Sequence, residues 1–94
     1  MESDRTLKAK AHPQFWQRYD QLPRSVQAKA DKQFALWLAD PNHRSLHFKK
    51  VLPGLWSARV DDSYRALARH RNGQFVWFWI GSHADYERLL KTWA

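Results

Sequence analysis

The segment Phe75-Val76-Trp77-Phe78-Trp79-Ile80 constrains this chain more than any other feature. It follows Asn72-Gly73, the strongest short signal for a two-residue hairpin, and it stops at Gly81. Its length is that of a strand. With no polar residue on either side, it reads as a central strand covered on both faces. Alternation puts Trp77 and Trp79 on one face and Val76, Phe78 and Ile80 on the other. The cover has to come from a chain of 94 residues, which is a single domain, 1–94. Six Trp, five Phe and three Tyr supply the apolar area, so most of the chain reads as folded.

The remaining elements follow from period and punctuation. Residues 1–12 carry little pattern and read as a frayed or helical lead-in. A short helix runs from Pro13 to about Gln21, with Phe15, Trp16 and Tyr19 on one side. Pro23 opens a second helix over 23–39, where its missing N–H costs nothing. Val26, Ala30, Phe34, Trp37 and Leu38 form the apolar stripe of that helix, while Lys29, Asp31 and Lys32 lie off it. Asp40-Pro41-Asn42 stops it. The period then becomes two: Leu46 and Phe48 alternate with His47 and Lys49, and Trp56, Ala58 and Val60 with Ser57 and Arg59. Asp61-Asp62-Ser63 is a turn, and an arginine-rich strand from Tyr64 to His70 precedes Asn72-Gly73. Ser82 caps a last helix over 83–93, with Asp85 as its capping-box partner and Leu89, Leu90 and Trp93 on its apolar side. The order predicts an α+β fold: two helices, a four-stranded antiparallel sheet and a short C-terminal helix.

Composition removes several function classes. No cysteine is present, which excludes disulfides, thiolate zinc sites and a cysteine nucleophile. Neither a Walker A loop nor a dinucleotide-binding glycine motif can be read. His43-x-x-x-His47 has metal-ligand spacing only on a helix, and Pro41 with the following alternation places it in loop and strand, so no metal and no cofactor is expected. No apolar run is long enough to span a membrane, and Met1-Glu2-Ser3-Asp4-Arg5 lacks a signal core, which points to the cytoplasm. The formal charge of +7 and the pI near 10.2 point to a polyanionic partner.

The element order is joined by Leu22-Pro23-x-x-Val26, by Asp40-Pro41, and by Ser45-Leu46-His47-Phe48-Lys49. Trp56-Ser57-Ala58-Arg59-Val60, Tyr64-Arg65-Ala66-Leu67 and Trp79-Ile80-Gly81-Ser82-His83-x-x-Tyr86 complete the set. In this order and spacing, over roughly residues 13–92, the chain resembles the RelE/ParE superfamily of bacterial toxin–antitoxin toxins. The resemblance implies one of two activities. RelE-type members are ribonucleases that cut mRNA in the ribosomal A site, and ParE-type members inhibit DNA gyrase without chemistry. It also implies an acidic antitoxin that wraps the toxin as a hetero-oligomer and represses the operon. A third outcome is a relative that has lost toxicity and only binds a protein.

Candidate site residues follow. His83 and Tyr86, three residues apart, share one helix face, and His83 stands in the first turn, where anions are favoured. RNA cleavage by the 2′-hydroxyl needs a base and an acid, and imidazole suits either near pH 7. The plainer reading is a helix cap, a surface His and a Tyr packed on the sheet. Ser82, His83 and Asp85 are not a triad, since capping explains their proximity. Arg65 matches the arginine of RelE-type nucleases and would stabilise phosphate charge, against a plain ion pair with Asp61 or Asp62. His47, Lys49 and Arg59 fall by alternation on the face away from the helices, and with the neighbouring Lys50 this basic set would hold an RNA backbone, against ordinary solubility charge. Trp79, the tryptophan nearest His83, is the one that would touch a base; the others read as core. No Glu lies between Glu2 and Glu87, which excludes the family variant with a catalytic Glu near the first strand.

Overall fold

The computed structural model describes residues 11–93. The lead-in expected over 1–12 lies outside them for its first ten residues. Ala11 and His12 are ordered parts of the fold rather than a frayed end. Ala11 bridges Trp77 in parallel, the His12 N–H donates to the Trp77 carbonyl at 2.7 Å, and the His12 ring caps the first helix.

The elements are α1 (Pro13–Tyr19), α2 (Arg24–Ala39), a 3₁₀ turn (Arg44–Leu46), β1 (Lys49–Leu52), β2 (Leu55–Asp61), β3 (Tyr64–Arg71), β4 (Gln74–Ser82) and α3 (His83–Trp93). This is the expected α+β order. The strands form an antiparallel sheet in the order β1-β2-β3-β4. Asn72 and Gly73, both at positive φ (52° and 76°), make the hairpin turn between β3 and β4.

β4 is therefore the last strand of the sheet, not a central one. Its two apolar faces come from layering. α1 and α2 cover one face through a core of Phe15, Trp16, Val26, Ala30, Phe34, Trp37 and Trp77. α3 covers part of the other face over a smaller core of Leu55, Leu67, Trp79 and Tyr86. Trp77 and Trp79 thus lie on opposite faces, contrary to simple alternation. A bulge is the reason: Leu67 pairs with Trp79 and the next residue, Ala68, pairs with Trp77, so β4 holds one extra residue and its parity inverts.

Three further expectations are corrected. Leu38 is 46% exposed, because it sits a full residue step round α2 from Trp37 and points past the sheet. Gln33 occupies the inward side instead, and its amide donates to the carbonyls of Arg59 (2.8 Å) and Ser45 (3.3 Å). His47 is not a strand residue. It follows the 3₁₀ turn in the left-handed region (φ 44°), a conformation that His tolerates better than most residues. On α3, Trp93 is 44% exposed, and Tyr86 is the residue that buries, with Leu89 and Leu90 packed beside it.

Candidate anion-binding cleft

On the α3 side of the sheet, the strand face that α3 leaves uncovered forms a cleft of about 460 Å³. His47, Lys49, Lys50, Arg59, Arg65 and His83 line it. Two devices bring these residues together. The first is register: Arg59 on β2 stands directly opposite Arg65 on β3. Like charges directly opposite on adjacent strands destabilise a sheet unless something answers them.

The second device is the β2–β3 turn. Asp61 accepts from the Ser63 N–H (2.8 Å) and meets the Lys29 ammonium from α2 (3.3 Å). Burial presses its carboxyl upward, but the Ser63 N–H and Lys29 outweigh it and hold the carboxyl below its usual range. The turn shaped in this way supports two site residues. The Asp61 and Tyr64 carbonyls accept from Arg65 Nη1 (2.5 and 2.9 Å), and the Ser63 carbonyl accepts from the His83 N–H (2.7 Å). Arg65 is therefore held by backbone rather than by an acid. It is Arg59 that pairs with a carboxylate, that of Asp62.

His83 opens α3. Ser82 caps the helix by accepting from the Asp85 N–H (3.1 Å), while the Asp85 carboxylate pairs with Arg88. The His83 side chain is 43% exposed, and its Nε2 lies 3.5 Å from Glu87 one turn on. Tyr86 packs behind the His83 ring (centroids 5.7 Å apart), and its hydroxyl donates to Ser57 Oγ at 3.2 Å. At 6% exposure Tyr86 is the floor of the cleft, without an open ring face for a base.

The structure brings together His47, Lys49, Lys50, Arg59, Arg65, His83 and Tyr86. It leaves Trp79 out. Trp79 is 4% exposed beneath α3, with the Arg18 guanidinium 5.6 Å from its ring. Ser57 and Glu87 belong to the cleft and were not anticipated. Ser57 could have been found as the polar residue sharing the period-two face of Arg59, and Glu87 as the carboxylate four residues after His83. His43 accepts from the Ser45 N–H at 3.2 Å and so caps the 3₁₀ turn. No helix among the described residues is long and apolar enough to cross a membrane.

No curated protein and no solved structure matches the chain. A family model described as a ParE-like toxin domain matches residues 24–88, from the first residue of α2 through most of α3. That span holds every charged residue of the cleft, and by it the chain belongs to the ParE-like toxin domain family, as a toxin of the RelE/ParE kind.

Proposed function

We propose that the cleft cuts mRNA, and that the protein is a metal-independent endoribonuclease toxin acting at the ribosome and so blocking translation in the cytoplasm. The observation that carries this reading is the pairing of Arg59 directly opposite Arg65, beside His83 at the start of a helix. Two guanidiniums side by side near a helix N-terminus favour a phosphodiester. In the reaction, the RNA 2′-hydroxyl gives its proton to solvent water and attacks the adjacent phosphorus; a 2′,3′-cyclic phosphate forms as the P–O5′ bond breaks. His83 gives its proton to the departing 5′-oxygen. Arg65 stabilises the charge that builds on the phosphate. Lys49, His47, Lys50 and Arg59 hold the flanking backbone. Tyr86, anchored on Ser57, positions His83 from behind, and Glu87 orients its ring from the helix. An acidic antitoxin that covers this basic face is the partner that family membership implies.

The family description supports a second reading, a ParE-like inhibitor of DNA gyrase in which the cleft binds without chemistry. One experiment separates the two. The toxin is induced, and ribosome-bound mRNA is mapped by primer extension, with His83→Gln and Arg65→Ala run in parallel and their folding checked by circular dichroism. New 5′ ends that disappear in both folded variants support the nuclease. Growth arrest that persists in both folded variants, without new ends, supports the gyrase inhibitor.

A further inference from the structure

The aromatic residues Phe48, Trp56, His70 and Phe75 take no part in the cleft. They lie on the α1–α2 side of the sheet, at the end where β2 starts and β3 finishes. Trp37 is where α2 meets this group, with Phe48 and Phe75 at centroid distances of 5.7 and 5.8 Å. Beyond it, Phe48, Trp56 and Phe75 are half-buried and His70 is exposed. The His70 ring lies flat on Phe75 (4.2 Å between centroids, 14° between planes), and the Trp56 ring stands on edge to both, 6.3 Å from His70 and 5.3 Å from Phe75. One ring face of His70 is taken by Phe75, and the residue is otherwise exposed.

Asp40 ends α2 three residues after Trp37, and beyond it the chain around this surface is basic. Between Pro41 and Ala84 the only acidic residues are Asp61 and Asp62. Both sit at the far end of β2, about 20 Å away at the rise of a strand. The surface is also continuous with the cleft. On the edge strand β1, Lys49 pairs with Ser57, which is on the cleft floor, and the next residue, Lys50, pairs with Trp56. Successive cations therefore lead round the open edge of the sheet from one face to the other.

We infer that the His70–Phe75 stack, flanked by Trp56, is a nucleobase platform that holds the single-stranded RNA flank as it leaves the cleft over Lys49 and Lys50. A planar base extends the stack on the outer face of His70. The cationic edge carries its phosphates. The inference rests on the nuclease reading for the choice of RNA as the polyanion.

The test uses the full chain and an end-labelled 2′-O-methyl oligouridylate, which lacks the attacking hydroxyl and reports binding without cleavage. His70→Ala should weaken binding about tenfold, the scale of one stacked base, and His70→Phe should restore it. The same ligand as a dinucleotide, too short to reach from the cleft to His70, should bind all three proteins alike. Wild-type affinity of His70→Ala for the long strand overturns the platform, and so does a loss in His70→Phe equal to that in His70→Ala. Loss of polyglutamate binding in His70→Ala with strand binding intact assigns the surface to an acidic peptide and also overturns it. If the protein leaves unmodified RNA uncut yet binds the long strand through His70, the platform stands and the nuclease reading falls.

Discussion

The Tyr86 hydroxyl donates to Ser57 Oγ at 3.2 Å, and this bond joins α3 to the middle of β2 beneath the cleft. Both residues are buried, so the bond lies largely out of solvent. Tyr86→Phe leaves the ring in place and the Ser57 hydroxyl unanswered. It should lower stability by about 1–2 kcal/mol in urea denaturation. The double variant Tyr86→Phe, Ser57→Ala should recover part of that loss, since both polar groups are then gone.

Gly81 should not tolerate a methyl group. A Cβ built there would meet the Trp79 indole at 2.6 and 2.8 Å, inside any real contact distance. The indole is 4% exposed and packed beneath α3 in the smaller core with Leu55, Leu67 and Tyr86, so it yields only by disturbing them. Gly81→Ala should therefore cost about 1–3 kcal/mol, the usual range for overpacking. Near-ultraviolet circular dichroism should show a changed tryptophan environment.

Asp61 gives the fold a defined response to acid. Its folded carboxyl titrates below its unfolded value of about 3.9. A depressed carboxyl stabilises the fold fully above the unfolded value, and the contribution is lost as pH falls through the folded one. Asp61→Asn should lower stability by about 1 kcal/mol at neutral pH, through the weakened Ser63 and Lys29 contacts. The difference from wild type should shrink toward zero as pH falls below about 4. Denaturation midpoints measured across pH check both statements.

Arg65 should matter far more to function than to stability. Arg65→Ala removes the donor to the Asp61 and Tyr64 carbonyls and relieves the like charge opposite Arg59, two opposed effects, so stability should change by no more than about 1 kcal/mol. Cleavage should fall about 100-fold with the loss of a charge stabiliser. His83→Gln should fall by a similar factor, about 100-fold, as a lost proton-transfer group. EDTA should leave wild-type cleavage intact, because the acid and the charge stabiliser are side chains.

Much of this architecture is written in the chain. The stripe of Val26, Ala30, Phe34 and Trp37, the stop at Asp40-Pro41 and the turn at Asn72-Gly73 are local signals, and local physics decides them. What could not be read depends on partners distant in sequence. The bulge in β4 arises from its pairing with β3 and separates Trp77 from Trp79, which alternation had placed together. Trp79 was expected at the surface because it is near His83 in sequence; the second core under α3 buries it. His47 reaches the cleft, but through a left-handed residue after a 3₁₀ turn rather than by strand alternation. The cleft was legible as a set of cations. That the β2–β3 turn supports both Arg65 and His83 was not, because backbone carbonyls do that work and carry no sequence signature.

The bridge between Ala11 and Trp77 gives the two edges of the sheet different fates. The chain entering α1 occupies the outer side of β4 at Trp77, whereas among the described residues nothing pairs with the outer side of β1. Runaway polymerisation of a sheet needs two open edges on every molecule, so that each added strand presents a new template. Here the outer side of β4 is taken at Trp77, by the Ala11 bridge and the His12 N–H. The bridge thus acts as a local guard on β4, placed where the most deeply buried tryptophan of the strand lies, and the burden of avoiding edge pairing falls on the short, lysine-bearing β1.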